Sequence, residues 1–491
     1  MAEYVLAIDQ STQGTKGLLF DGKGDLICRA DRPHRQIINE KGWVEHDPEE
    51  IFANVLGVVR DVVEKAGIDR NDIAGLGISN QRETSAAWYR DGSPVCNAIV
   101  WQCARAAGIC ERIEKEGFAD KVLEKTGIRL SPYFPAGKLA WIMENVDGAR
   151  ERAAAGEVLL GTMDTYVLYR LTGGRVYRTD YSNASRTQLF NINTLEWDEE
   201  LCRIFGIPAG ILAQVTDSDG DYGETDFGGY LEHPIPIRGV MGDSHAALFG
   251  QGCREPGMTK ATYGTGSSVV MNIGERPVRS SHGVVTSLAW CMDGKVNYCL
   301  EGNINYTGAV ITWLKDDLKL IRSAKETQEL AESASPEDRS YLVPAFTGLG
   351  APYWDSDARA VICGMSRTTR RAEIVRDALE CIGYQITDIL RAMEEDAGVP
   401  IRELRADGGP TGNRYLMQFQ SDIARVAVTV PPSEELSGMG AAYATGIRLG
   451  IYDPEKLFAG VRRTEYQPQM PEAEVGERYS GWKVAVRKAL S

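Results

Sequence analysis

The sequence predicts an α/β protein built as two large domains with mixed sheets on either side of a cleft. Three observations predict it. The chain has 491 residues, beyond the size at which one hydrophobic core keeps growing. Its opening orders as three short strands, an amphipathic helix and a fourth strand. A weaker version of that opening recurs in the second half.

Residues 4–8 form an apolar run ending at Asp9, residues 16–20 a second and residues 26–28 a third, with Asp21-Gly22-Lys23-Gly24 as the turn before the last. Short apolar runs punctuated by glycine turns read as an antiparallel meander. Asp47-Pro48-Glu49-Glu50 then combines an N-cap carboxylate, a first-turn proline and acids at the positive end of a helix dipole. Ile51, Val55, Val58, Val59, Val62 and Val63 recur at helical spacing up to Gly67, so an amphipathic helix is expected, followed by a strand at 73–78. In the second half, residues 268–271 and 296–300 read as strands, the latter after the turn Asp293-Gly294. This is compatible with a duplicated domain, although no residue-level repeat is visible. Gly250, Gly252, Pro256 and Gly257 interrupt the apolar pattern and place the boundary between domains 1–252 and 253–491. Two late helices are expected: Arg371–Ala397, carrying Ile374, Leu379, Ile382, Ile386 and Ile389, and a Gly- and Ala-rich one at 437–449. Glycine costs helix propensity, so the second composition suits a helix lying close against another backbone.

Charge and cysteine usage narrow the function. Lys and Arg total 54 against 69 Asp and Glu, for a formal charge of −15, and no basic run exists. A nucleic-acid partner is excluded on that ground. An acidic chain that handles phosphates must hold them with backbone N–H groups, a metal ion and a few placed cations. Ten scattered cysteines without a Cys-x-x-Cys pair and only five histidines argue against zinc sites and a disulfide framework, and fit a reducing cytoplasm. Met1 to Tyr4 leads directly into the first strand, so neither a signal peptide nor a membrane insertion is expected, and the expected location is cytoplasmic. A homo-oligomer is compatible with the sequence, which does not fix the oligomeric state.

The chemistry sits in five segments. Asp9-Gln10-Ser11-Thr12-Gln13-Gly14-Thr15-Lys16 joins a strand-end carboxylate to hydroxyls, a glycine and a cation, the groups a turn needs near Mg²⁺ and phosphate. It lacks Walker A spacing. Gly264-Thr265-Gly266-Ser267 offers the matching half of a cradle, and in Asp407-Gly408-Gly409-Pro410-Thr411-Gly412-Asn413 small residues let a flat base or ribose lie on the backbone. Asn80-Gln81-Arg82-Glu83-Thr84 supplies a donor beside an acceptor for neighbouring oxygens of a polyol, and Trp101 can cover a carbon face. Asp243, in Gly242-Asp243-Ser244-His245, is the candidate base for the attacking hydroxyl. Taken singly, Arg82-Glu83 reads as a surface pair, Asp243 as a turn residue and Trp101 as core, and His245 reads as a structural neighbour rather than a second base. Taken together and in order, they point to a kinase for a small polyhydroxy substrate.

Those segments, with Gly42-Trp43-Val44-Glu45-His46-Asp47-Pro48, Asp180-Tyr181-Ser182-Asn183-Ala184-Ser185-Arg186-Thr187 and the run from Pro344 to Trp354, closely resemble the FGGY carbohydrate kinase family, and within it the glycerol kinases, nearly end to end. The family's first signature is intact around Lys138-Leu139-Ala140-Trp141; the second, ending at Ala378-Leu379-Glu380, carries Asp377 where a small residue is usual. The resemblance implies a pair of actin-like, ribonuclease-H-type domains closing on a cleft, with ATP and Mg²⁺ on one side and a polyol on the other. It implies that Thr12 and Lys16 approach the transferred phosphate, that Asp9 organises the metal through water, and that Thr265, Gly308, Gly409 and Asn413 hold the nucleotide. Arg82, Glu83, Trp101, Tyr133 and Asp243 would hold the polyol, with Asp243 as base. The chain departs from the glycerol kinase pattern at Ser244, where Gln is usual, at Ser268, where a Phe walls the pocket, and at Thr312, where a nucleotide-side Gln is usual. The loop from Gly228 to His233 lacks the arginine associated with sugar-bisphosphate inhibition. Ser244 and Ser268 therefore count as substrate-facing positions. A kinase for a four- or five-carbon polyol or ketose such as erythritol or xylulose is the nearer alternative, and an actin-like ATPase the more distant one. An ATPase has no use for Arg82, Glu83 and Trp101 converging on Asp243.

Overall fold

The computed structural model describes residues 4–490; residues 1–3, on which the reading of the N-terminus partly rests, lie outside the described residues. Two mixed sheets repeat one plan. In the first, of six strands, Tyr4–Gln10 pairs antiparallel with Gly14–Phe20, which pairs with Leu26–Pro33; on its other side it runs parallel to Ile73–Asn80, itself parallel to Ile235–Gly242. In the second, of seven strands, Met258–Tyr263 pairs antiparallel with Ser267–Gly274, which pairs with Lys295–Ile304; on its other side it runs parallel to Glu403–Asp407, itself parallel to Ala427–Val430. The echo heard in the sequence is thus a repeat of topology. Its first strand, Met258–Tyr263, escapes the sequence reading because Lys260 and Thr262 break its apolar run, yet Lys260 is fully buried, donating to the Thr262 hydroxyl at 2.8 Å.

The expected helices form where capping and periodicity put them. Pro48–Ala66 starts at Asp47, whose carboxylate accepts the Glu49 N–H at 2.9 Å, and it ends at Gly67 in the left-handed region. Its buried stripe of Ile51, Val55, Val59 and Val62 covers one face of the first sheet. Arg371–Ala397 lies against the second sheet and the helix Arg414–Ala424. Leu436–Arg448 returns from the second half of the chain to pack on the helix Asp243–Gly250 and on Tyr4–Gln10, Ile73–Asn80 and Ile235–Gly242 of the first sheet. The approach is close enough that a Cβ at Gly440 would stand 1.8 Å from the Ala246 carbonyl oxygen. That contact explains the glycine-rich composition and crosses the expected boundary at residue 252. A five-stranded sheet of Ile37–Ile38, Val44–His46, Ala98–Ile99, Ser85–Tyr89 and Val158–Thr162, with short helices between residues 107 and 171, is elaborated on the first domain. No helix among the described residues is long and apolar enough to cross a membrane.

Asp377, the departure in the second signature, lies 2% exposed in the helix Arg371–Ala397, with one carboxylate oxygen lacking any hydrogen-bond partner. Burial, reinforced by Glu380, pushes its pKa up from 3.8 to about 7 against the opposing pull of Ser340 and Arg376. Between those values the folded state keeps a proton that the unfolded chain has lost, so stability falls as pH rises through the window and the full cost is present above about 7. Asp377→Ala should therefore stabilise the protein by on the order of 1–3 kcal/mol at pH 8 and by little at pH 4. Thermal unfolding of both proteins across that range checks it; equal shifts at both ends would contradict it.

Candidate active site

Parallel strands present their carboxyl ends along one edge of an α/β sheet, and ligands gather there. In the first sheet those ends carry Asp9, the segment Asn80 to Glu83, and Asp243. In the second, Tyr263 leads into Gly264-Thr265-Gly266, and Asp407 into Gly408 and the turn Gly409–Gly412. The two hairpins read as phosphate cradles, after Tyr4–Gln10 and after Met258–Tyr263, occupy equivalent positions in the repeat.

The segment expected to clamp a polyol is more deeply built than the sequence indicates. Both Nη groups of Arg82 donate to Glu301, at 2.7 and 2.8 Å, and Glu301 comes from the strand Lys295–Ile304 of the second sheet. Arg186 donates through Nε to Glu83 at 2.8 Å and stands 3.2 Å from Glu301, while Glu83 lies 3.6 Å from Arg82. Arg82, Glu301, Arg186 and Glu83 thus close a ring of alternating charge. Side-chain exposures of 5%, 0%, 1% and 4% remove it from bulk water. Arg82 and Glu83 are thus partly engaged within the ring: both Nη groups of Arg82 go to Glu301, and one carboxylate oxygen of Glu83 accepts from Arg186. Only the Nε edge of Arg82 faces Asp243, at 3.2 Å, without hydrogen-bond alignment.

Asp243 opens the helix Asp243–Gly250, and one of its oxygens accepts the Ser244 N–H at 2.6 Å. At 37% side-chain exposure it is the one charge of this group that faces the cleft. Desolvation there, with Glu83 nearby, raises its pKa although Arg82 opposes the shift. Gly242 precedes it of necessity: a Cβ there would lie 2.5 Å from the Arg82 Cγ. Beside the clamp, the Trp101 indole N–H donates to Thr12 Oγ1 at 2.9 Å, and its ring lies 5.4 Å from that of Tyr133. Lys138, fully buried and drawn down to about 7 by desolvation, donates to the carbonyls of Tyr133 and Phe134 and so fixes the aromatic wall from behind. Ser268 Oγ is buried without a partner, and fully buried His245 is held neutral by desolvation and the nearby Arg82.

On the phosphate side, Asp9 accepts the Ser79 hydroxyl at 2.6 Å and stands 4.0 Å from Lys16. Lys16 itself pairs with Glu435 at 2.7 Å, and Arg29 pairs with the same carboxylate. No group of three or more His, Cys, Asp and Glu side chains able to hold a metal occurs among the described residues. A lone, under-neutralised carboxylate of this kind fits Mg²⁺ that keeps its waters and is held chiefly by phosphates. A cavity of about 560 Å³ in the second domain is lined by Gly308, Thr312, Leu379, Ile382, Gly409 and Asn413 among others, so three of the expected nucleotide residues converge. Asn413 also caps the helix Arg414–Ala424, accepting the Leu416 N–H at 3.1 Å and donating to Thr327 at 3.0 Å. Thr265 lies outside that lining, exposed, its carbonyl accepting the N–H groups of Thr307 and Ala309.

Sequence reasoning missed Glu301, Arg186, Glu435 and the role of Lys138. Glu301 left one signal, an acid directly after the apolar run Tyr298-Cys299-Leu300; Glu435 left none, since it precedes a helix as many exposed acids do.

With this geometry in hand, comparison with known proteins is decisive. The model of the N-terminal domain of the FGGY family of carbohydrate kinases matches residues 4–250, and that of the C-terminal domain matches residues 259–449. This chain belongs to the FGGY family of carbohydrate kinases. It is 47% identical over 490 residues to glycerol kinase of Carboxydothermus hydrogenoformans, covering 99% of this chain and 98% of that protein. To glycerol kinase of Bacillus subtilis it is 44% identical over 494 residues, covering 100% of both. Its structure matches that of Plasmodium falciparum glycerol kinase with ADP at a TM-score of 0.94 and 34% identity, over 100% of this chain and 99% of that one. The kinase is an ATP-dependent phosphotransferase with an alcohol group as acceptor, on the two-domain actin-like fold.

Burial pushes the Asp9 pKa up to about 6, with Lys16 and the Ser79 hydroxyl opposing and Asp243 and Glu435 reinforcing. The kinase should therefore lose kcat/KM for its nucleotide as pH falls below about 6. Ser79→Ala, which removes a bond to the ionised form, should move that limb up by roughly half a unit to one unit. A pH–rate profile checks this; a limb that ignores Ser79→Ala belongs to another group.

Proposed function

We propose that the kinase transfers the γ-phosphoryl group of ATP to a terminal hydroxyl of glycerol, with Asp243 as the base and Mg²⁺ as the accompanying metal. Asp243 carries this reading: a single carboxylate open to the cleft, beside a buried charge ring and an aromatic wall. In the mechanism we infer, Trp101 and Tyr133 cover the carbon face of the acceptor while Asp243 receives the proton of the attacking hydroxyl. The hydroxyl oxygen bonds to the γ-phosphorus as the bond to the β–γ bridging oxygen breaks, and ADP leaves. Asp9 would hold Mg²⁺ through water, and the ion would supply charge neutralisation at the phosphate oxygens. Lys16 turns from Glu435 toward the transferred group, and Arg29 keeps Glu435 paired when it does. Alignment supplies most of the effect in such a loose transfer.

One observation favours a second reading, a four- or five-carbon acceptor such as erythritol or xylulose: Ser268 leaves a hydroxyl without a partner where the glycerol kinase pattern has a Phe wall. Losing an apolar wall shifts discrimination by about 10- to 200-fold, enough to reorder similar polyols. ADP release measured with no acceptor, glycerol, erythritol, xylitol and xylulose separates these readings. Release should depend on an acceptor, with the highest kcat/KM for glycerol; a higher value for a longer acceptor supports the second reading, and acceptor-independent release contradicts both. Asp243→Asn should lower kcat by about 10²- to 10⁴-fold while nucleotide affinity, followed by calorimetry, stays unchanged. Near-normal turnover in that variant would remove Asp243 from its role.

A further inference from the structure

The partners of Arg82 are distributed unevenly. Its two Nη groups, the pair that grips carboxylates best, both go to Glu301 in the opposite domain, and its Nε is left 3.2 Å from Asp243 with its N–H unaligned. Without Glu301, the carboxylates left within reach of that guanidinium are Asp243 and Glu83, and Arg186 already holds Glu83 at 2.8 Å. A guanidinium turned onto Asp243 would bind it through both oxygens. Opposite charge so close favours the ionised form and holds the oxygens away from an acceptor hydroxyl.

We propose that Glu301 is a positioning residue that, by occupying both Nη groups of Arg82, keeps the guanidinium from closing on Asp243 and so leaves Asp243 free to receive the acceptor's proton. The inference rests on Asp243 acting as the base. The charged and titratable groups around Glu301 are Arg82, Arg186, neutral His245, Lys260, Tyr133 and Cys299; those around Asp243 are Arg82, Glu83, Asp9 and Lys260. Of these, only Arg82 touches both carboxylates among the ion pairs of the structure. Glu301 also sits three residues before Ile304, after which the chain enters Gly308 on the nucleotide cavity, so the part of the second domain that receives the nucleotide also holds the acceptor-side arginine. Burial does not set Asp243 free by itself; the orientation of Arg82 does.

The test is a double-mutant cycle on the full-length kinase with ATP, Mg²⁺ and glycerol. Glu301→Gln keeps the shape and removes the charge. It should lower kcat by about 10- to 100-fold, with KM for ATP changed less than threefold, because a 1 Å misplacement is enough for such a loss. On an Arg82→Gln background, whose own activity is lower, Glu301→Gln should cost less than about threefold, since the group it restrains is gone. Equal factors on both backgrounds would show that Glu301 acts through the fold and not through Arg82, and a loss under threefold in the native background would overturn the proposal outright. If Glu301→Gln does not fold, Glu301→Asp, which keeps the charge and shortens the reach, carries the same cycle with the same criteria. High activity in Asp243→Asn would refute the base itself, and the cycle between Glu301 and Arg82 is read independently of that result.

Discussion

Four charges with almost no access to water hold the working end of this kinase together. Arg82, Glu301, Arg186 and Glu83 lie head to tail, so each cation meets two anions and each anion two cations. Moving one such group from water into a protein costs several kcal/mol, and the attraction repays it only where geometry is good and the hydrogen-bonding sites are filled. Here most of them are filled, by paired contacts on Glu301 and by Ser287 on Arg186 at 3.0 Å, with the Arg82 Nε left over. Removing any one member would leave an uncompensated charge, so the ring constrains everything attached to it. Three members come from the first domain and one from the second, which makes the ring a joint between the acceptor side and the nucleotide side.

The repeat explains why so few residues can do this. Each domain delivers its chemistry at the carboxyl ends of its parallel strands, and the two sheets place a hairpin at the same point in the plan. Asp9 and Asp243 sit on ends of the first sheet and are both raised in pKa by desolvation, yet their surroundings differ. Asp9 is hydrogen-bonded by Ser79 and faces Lys16, which suits a charge awaiting a cation. Asp243 faces the unaligned edge of Arg82, which suits a proton acceptor.

Much of this was legible in the sequence, for reasons tied to local physics. The helix Pro48–Ala66 was readable because its cap, its proline and its valine stripe all act within a few residues. Leu436–Arg448 was readable as a close-packed helix because glycine there has no other use, although its partner in the first domain was not. Asp243, Arg82 and Trp101 stood out in the sequence as a set, since a polyol needs a base, a donor and a flat face; of the three, the fold sets the Arg82 Nε 3.2 Å from Asp243. The ring was not legible. Arg186 and Glu301 lie 115 residues apart in the chain and meet only when the segment after the helix Tyr181–Ala184 reaches the strand Lys295–Ile304, and an arginine after a polar helix gives no local sign of being 1% exposed. Lys138 stood in a signature as a letter; its carbonyl contacts behind Tyr133 appear only in three dimensions.

The structure of the kinase with glycerol and a non-hydrolysable ATP analogue tests the central claim most directly. The account predicts a terminal hydroxyl of glycerol within hydrogen-bonding distance of Asp243, in line with the γ-phosphate, while Arg82 still gives both Nη groups to Glu301. Glycerol bound away from Asp243, or Arg82 released from Glu301 and paired through both nitrogens with Asp243, would contradict it.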